Sequence, residues 1–493
     1  MIRPVSDFSK SVAELSRIIG IESKFDLQFT GITSTSNKVE VGDLFVALHG
    51  ANVHGATYID EIMASGAVGV ITDLKGSEIV GTKLPTIVIA DPRRVLGDIC
   101  SWFYGVPSSS IKIAGITGTN GKTTTTTILN QILKFSGKST GLIGTNGIEI
   151  GPEKTLANFT TPEASELQSL FAVMQERHIS HVAMEVSSHA LEARRVSGTK
   201  FAMVGFTNLT QDHLDFHGDM RSYFAAKSKL FANEYSELGF INIDDAYGKE
   251  LFNAEQIPVI SLSRENRTAQ WHFERYDLKP RGYSIAIRGT GGILIEGEIN
   301  LIGDHNLDNV LMAVAMASEF EVDPLVIGNS LAELQGAAGR LESVDIGQKF
   351  IALVDYAHTP DAVTRTLATL RKSVDGRIIA VLGCGGDRDK TKRPIMGREL
   401  LAGSDVAIFT SDNPRSENPE KILEEMISGL TLGESASITL DRREAIALAV
   451  SRALPGDCVV VLGKGHEVGQ EIAGKKYPFD DRIELARAIE ELT

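Results

Sequence analysis

Short apolar runs alternate with stretches of helical spacing along the whole chain. In the first block, 44–48, 68–71 and 86–89 read as buried strands, and 12–19 and 95–104 as helices. Pro107-Ser108-Ser109-Ser110 reads as a linker. The second block opens on a buried strand at 111–116. A helix follows over 125–135, with Ile128, Leu129, Ile132 and Leu133 on one face. Further buried strands are expected at 181–186 and 201–207, a helix at 222–230, and β-rich alternation with glycines over 255–302. In the third block, strands at 350–355, 378–382, 406–410, 437–440 and 458–462 alternate with helices at 360–371, 422–430 and 443–453. That alternation predicts a parallel sheet covered by helices on both faces. A second linker is expected at 335–339.

Between the strand at 111–116 and its helix lies Gly118-Thr119-Asn120-Gly121-Lys122-Thr123-Thr124. Strand, glycine-rich loop, Lys-Thr and helix form the context of a phosphate-binding loop. Glycines let backbone N–H groups turn toward an anion, and the helix N-terminus adds positive potential. Lys122 then reaches the terminal phosphates of a nucleoside triphosphate, and the Thr123 hydroxyl sits on Mg²⁺. The fold class expected is α/β in three domains. These are a small N-terminal α/β domain (1–108), a central P-loop ATPase-type parallel sheet with added β-structure (109–338), and a C-terminal Rossmann-like doubly wound sheet (339–493).

Composition narrows the function classes. The 493 residues carry 64 acidic and 49 basic side chains, a net charge of −15, which argues against a general nucleic-acid or anionic-membrane binder. Three cysteines, Cys100, Cys384 and Cys458, form no metal-spaced pair and fit a reducing compartment. With no apolar run of about 18 residues, no membrane span is expected. The polar residues 1–11 do not read as a signal peptide. A cytoplasmic protein is expected.

Polar clusters mark where chemistry concentrates. Glu185 ends a strand beside the phosphate loop, where a carboxylate holds Mg²⁺ directly or through water. The run 208–217, with Asp212, His213, Asp215 and His217, suits a second cation or proton handling. Lys227 has small apolar neighbours. A buried lysine exposes a neutral amine that can add CO₂, but the residues alone do not distinguish this from a solvated lysine. In the third block, 355–358, 384–388, 411–415 and 463–467 all follow strands, and open α/β sheets bind ligands at their carboxyl ends.

Taken in order, these motifs resemble the Mur ligases. They comprise Gly118 to Thr124, Glu185-Val-Ser-Ser-His189, Thr207 to Asp215, Tyr223-Phe-Ala-Ala-Lys227, Gly303 to Asn309, Gly339-Arg-Leu-Glu342 and Asp355 to Asp361. Within that family the match is to the diamino-acid-adding, MurE type. The resemblance implies an ATP-dependent amide ligase working through an acyl phosphate. Its substrates would be ATP, UDP-N-acetylmuramoyl-L-Ala-D-Glu and a diamino acid, and a monomer is expected. It implies catalytic positions at Lys122, Glu185, His213 and Lys227. It implies a metal set of Thr123, Glu185, His213 and Lys227 as its carbamate, N6-carboxylysine. ATP positions beyond the loop are Asn309, Arg340 and Asp355. The dipeptide nucleotide would meet Ser34, Ser36, Thr160, Thr161, Ser187 and Arg195.

Two positions depart from the family. Its usual Asp-Ser-Arg stands here as Thr35-Ser36-Asn37, and the Gln of some members is Ala193. Asp412-Asn413-Pro414-Arg415 resembles the pattern of members adding meso-diaminopimelate, with Arg388, Gly463 and Glu467 at further positions of that site. Diaminopimelate differs from lysine by a distal carboxylate, which a guanidinium binds through two charge-assisted hydrogen bonds. The alternatives are a lysine-adding ligase, a folylpolyglutamate synthetase, and a P-loop nucleotide switch without ligase chemistry.

Overall fold

A computed structural model describes residues 1–22, 25–50, 52–254, 256–279 and 282–492. The chain forms two compact units. One comprises 1–273, 287–295 and 308–327; the other comprises 274–286, 296–307 and 328–493.

The first unit begins with a parallel four-stranded sheet in the order Gly31–Thr33, Asp43–Val46, Gly69–Thr72, Thr86–Val88. The helix Val12–Ile19 starts at a capping box between Ser11 and Glu14, which satisfies otherwise orphaned N–H groups. The helix Pro92–Phe103 begins where Asp91 accepts from the Arg94 N–H and proline occupies the first turn. The expected linker at 107–110 is not a free connector. Pro107–Ser109 makes a 3₁₀ turn, Pro107 and Ser108 are buried, and Ser108 Oγ accepts from the Lys200 N–H.

The unit's second sheet centres on Lys112–Thr117, flanked in parallel by His181–Glu185 and Met203–Phe206. Thr140–Gly144 lies outside the former strand, and Gly239–Asn242 and Val259–Ser263 lie outside the latter. Ile113, Val182 and Val204 are fully buried, as a strand covered on both faces requires. Glu185, Thr117 and Phe206 thus end neighbouring strands, and the polar segments after them emerge on one edge. The β-rich stretch is divided between the units and forms Trp271–Lys279, Gly282–Arg288 and Leu294–Ile299. Residues 255, 280 and 281 of that stretch lie outside the described residues.

The second unit holds a six-stranded sheet in the order Glu342–Ser343, Ile351–Asp355, Cys458–Leu462, Ile378–Cys384, Val406–Ser411, Ala436–Ile438. All neighbours are parallel except the first pair. Separate apolar clusters cover its two faces. The return of Cys458–Leu462 between Ile351–Asp355 and Ile378–Cys384 reverses the strand order. The polar loops after residues 355, 384, 411 and 462 therefore gather at the carboxyl edge of a doubly wound sheet. An antiparallel hairpin, Gly469–Ile472 with Lys475–Pro478, was not expected from the sequence.

Candidate active site

In the first unit, the phosphate loop turns into the helix Lys122–Phe135 at Gly121, whose φ of +88° favours glycine. The loop is braced from the neighbouring strand end. The Asn120 N–H donates to Asn208 Oδ1 at 3.0 Å, and Thr207 Oγ1 donates to the Asn120 carbonyl at 2.6 Å. Asn309 lies against the same loop. Its Oδ1 accepts from Thr125 Oγ1 at 3.2 Å, and a Cβ on Gly121 would collide with it. Lys122 folds back over the loop, donating to the carbonyls of Gly118 and Thr119 at 3.0 and 2.9 Å.

Thr123 and Glu185 meet directly, Oγ1 to Oε2, at 2.9 Å. Glu185 is buried, and its other oxygen accepts from the Thr145 N–H at 2.8 Å. A hydroxyl beside a carboxylate at a phosphate loop is a hard-oxygen pair suited to Mg²⁺. Among the described residues, no group of three or more His, Cys, Asp or Glu side chains is gathered closely enough to hold an ion.

Lys227, on the helix Met220–Ser228, is 1% exposed. Its Nζ donates to the Gly118 carbonyl at 2.7 Å and lies 4.6 Å from the Tyr223 ring centroid. Burial, reinforced by the charge of Lys122 and opposed by Asp212, pushes this amine well below the ordinary lysine range. His213 shares no hydrogen bond or ion pair with Thr123 or Glu185. It begins the short helix Leu214–His217 with φ +52°, its side chain is nearly half exposed, and its ring packs 4.7 Å from that of His189.

Four of the six residues expected at the dipeptide nucleotide, Thr160, Thr161, Ser187 and Arg195, form one network. Thr160 Oγ1 lies 3.1 Å from Thr145 Oγ1, and Thr161 Oγ1 donates to the Glu185 carbonyl and accepts from the Ser187 N–H. Arg195 donates to the Thr161 carbonyl at 3.2 Å, pairs with Glu163 at 2.8 Å and covers the Phe159 ring. Beside Ala193 stands Arg93, which donates to the Ala193 carbonyl at 3.1 Å. Ser34 shares a hydroxyl contact with Ser165 at 3.2 Å. Ser36 opens the 3₁₀ turn Ser36–Lys38. The cation next to Asn37 is Lys38, paired with Glu166 at 2.9 Å.

In the second unit, the loops after 384 and 411 interlock: the Gly386 N–H donates to the Asn413 carbonyl at 2.9 Å, and a Cβ on Gly386 would strike Pro414. Arg415 adopts φ +51°, unusual for a non-glycine residue. The unexpected hairpin holds it there, through Arg415 N–H to the Glu471 carbonyl and Ala473 N–H to the Arg415 carbonyl. Its Nη1 donates to the Gly386 carbonyl at 2.6 Å, and its Nε lies 3.7 Å from Glu471. Arg388 is exposed.

Sequence reasoning missed Lys464. It is fully buried, donating to Asn413 Oδ1 and to Glu467 Oε2, both at 3.1 Å. Burial pushes Glu467 up, but the charge of Lys464 and the Asn413 hydrogen bond outweigh it and hold the carboxyl low. Burial raises Asp412, opposed by Arg442 and Lys464. Gly463, at φ +114°, keeps the strand end clear of Asp412, which a Cβ there would crowd. Arg442 and Asp481 form a fully buried pair, 2.7 Å between Nε and Oδ1. The carboxylate of Asp355 already accepts from the N–H groups of Leu341 and Ala357 and from Thr366 Oγ1. Arg340 stacks 5.1 Å over the Tyr356 ring.

Residues 28–104 match the Mur ligase family catalytic domain, 116–317 the Mur ligase middle domain, and 339–465 the Mur ligase glutamate ligase domain. The chain is 43% identical, over 99% of its length and 98% of the relative's, to the UDP-N-acetylmuramoyl-L-alanyl-D-glutamate--2,6-diaminopimelate ligase of Streptomyces avermitilis. The chain belongs to the Mur ligase family. A solved structure described as a ligase of that same name superposes with a TM-score of 0.73 at 32% identity, covering 97% of this chain and 98% of the other. The Mur ligase fold extends to the MurF ligase of Thermotoga maritima in complex with ADP. That likeness has a TM-score of 0.59 at 16% identity, over 94% of this chain and 97% of that one. The α/β class with parallel sheets, expected from the alternation of strands and helices, is the class of these Mur ligases.

Proposed function

We propose that this chain is the ATP-dependent ligase that adds meso-2,6-diaminopimelate to the D-Glu γ-carboxylate of UDP-N-acetylmuramoyl-L-Ala-D-Glu. The step belongs to peptidoglycan precursor synthesis in the cytoplasm. The observation that carries the reading is the full-length likeness to ligases so named, in a chain with a phosphate loop and the Asp412–Arg415 turn. Among the described residues, no helix is long and apolar enough to cross a membrane. The three-domain division at 108/109 and 338/339 and a monomeric state belong to the same reading.

A carboxylate is a poor electrophile, and transfer of the γ-phosphoryl group gives it a leaving group. Two anions must meet for this, so Lys122 and the backbone N–H groups of 118–124 screen the phosphates. The chain would hold Mg²⁺ through Thr123 and Glu185, with His213 and a carbamate on Lys227 as further ligands. When bound, the ion neutralises developing charge on the phosphoryl oxygens. Thr160, Thr161, Ser187 and Arg195 orient the dipeptide, Ser34 belongs to the same nucleotide-linked substrate, and Ser36 to its uridine end. Asn309, Arg340 and Asp355 belong to the nucleotide. The α-amine of the diamino acid attacks the acyl phosphate, loses a proton, and the tetrahedral intermediate expels phosphate. Much of the remaining barrier falls by positioning.

Incubated with all three substrates, the protein is expected to yield a nucleotide heavier by one diaminopimelate less one water, with ADP and phosphate in equal amounts. Mass spectrometry and nucleotide chromatography check this. AMP with pyrophosphate would overturn the acyl-phosphate route.

A further inference from the structure

The amino-acid acceptor loops contain a cation that cannot itself be an acceptor ligand. Lys464 follows the strand Cys458–Leu462 and is fully buried, so no face of it meets solvent. Burying an ammonium is costly unless it is paired and hydrogen-bonded. Here it is both. Two of its three N–H bonds go to Asn413 Oδ1 and Glu467 Oε2, and Asp412 Oδ1 stands 3.8 Å away.

The same contacts lock Asn413 and Glu467, the two side chains that the Mur ligase resemblance places at the diamino acid. Asn413 Oδ1 also accepts from the Glu471 N–H at 2.9 Å, and its Nδ2 donates to Glu467 at 2.8 Å, so its amide is oriented from both ends. Glu467, unlike Lys464, keeps 33% of its side chain exposed. It is the carboxylate of this trio that a ligand can reach.

Arg442 is occupied by a two-pronged pair with Asp481. Lys464 faces Glu467, whose carboxyl it helps to hold low, and Asp412, which burial raises against the opposing charges of Arg442 and Lys464. The reachable carboxylate of Glu467 attracts an arriving ammonium, offers less to a neutral group and repels an anion.

We infer that Lys464 is a positioning residue for acceptor recognition: it fixes Glu467 and Asn413 in the geometry that receives an ammonium of the diamino acid, without touching it. The inference rests on the proposed function, because it takes these loops as the acceptor site.

The test compares Lys464→Met, Glu467→Gln and the double variant in steady-state kinetics of the full chain. Diaminopimelate and ATP are varied separately. Both single variants are expected to raise KM for diaminopimelate about tenfold or more and to leave KM for ATP within about twofold, as loss of a charged hydrogen bond at one substrate predicts. The double variant should be little worse than the worse single one, because Lys464 acts through Glu467. If Lys464→Met does not fold, Lys464→Gln keeps a hydrogen-bonding group at Asn413 without the charge and carries the same expectation. An unchanged KM for diaminopimelate in the Lys464 variant, with a raised one in Glu467→Gln, overturns the positioning role and leaves the acceptor site standing. An unchanged KM in both overturns the placement of the acceptor itself.

Discussion

Replacing Lys227 by alanine is expected to lower kcat about 10²–10³-fold, the scale of removing one preorganised charge-stabilising group. The structure gives this residue the one property a carbamate needs. Burial and the neighbouring Lys122 charge both disfavour the ammonium, so the amine gives up its proton more readily than an ordinary surface lysine. Its hydrogen bond to Gly118 sets that amine against the phosphate loop. Addition of CO₂ to the neutral amine, with loss of a proton, would put an anion where the proposed function places Mg²⁺ and phosphate. A short-chain carboxylate such as acetate should then restore part of the lost turnover in Lys227→Ala. The wild-type enzyme should gain nothing from it. Full activity of the alanine variant would remove the carbamate from the account. Loss without any chemical rescue would leave Lys227 a structural prop under the loop.

Arg415→Ala is expected to lower kcat/KM for diaminopimelate about 10–10²-fold, the loss of a charge-assisted carboxylate contact, with KM for ATP nearly unchanged. The structure refines the reasoning behind this. The residue pattern suggests that lysine would strand Arg415 without an anion. In the fold, Nη1 already donates to the Gly386 carbonyl and Glu471 stands 3.7 Å from Nε. Discrimination against lysine therefore rests on the attraction lysine fails to make rather than on an orphaned cation. A guanidinium held at φ +51° between two loops is nonetheless pre-aimed, which lowers the entropy lost on binding. Use of L-lysine should change little in the variant. Equal loss of diaminopimelate and ATP use would sink the assignment of Arg415 to specificity.

The strands and the loops after them were legible because buried parallel strands are apolar throughout, so a polar cluster beyond one stands out. Ile378–Cys384 and Cys458–Leu462 are such cases. Gly31–Thr33 was not, since three residues carry no period. The hairpin Gly469–Ile472 with Lys475–Pro478 escaped because its second strand is exposed on both faces and shows no apolar alternation. Pro107–Ser110 reads as a linker by composition, yet tertiary packing buries its first half. Lys464 was illegible for a different reason. A lysine between two glycines looks solvated, and only the approach of Asn413, 51 positions earlier, shows that it is buried and paired. The Arg442–Asp481 pair, 39 positions apart, is likewise visible only in the fold. Of the two departures, Ala193 has a cation that only the fold reveals, Arg93, which donates to its carbonyl, whereas Lys38, next in sequence to Asn37, pairs with Glu166.

The central claim is most directly tested by phosphate release from ATP in the presence of UDP-N-acetylmuramoyl-L-Ala-D-Glu, with meso-diaminopimelate, with L-lysine, or with no amino acid. The account predicts sustained release with diaminopimelate and little with the other two. Release with lysine at a comparable rate would keep the ligase and contradict the specificity. Release independent of any amino acid would contradict the ligase reading itself.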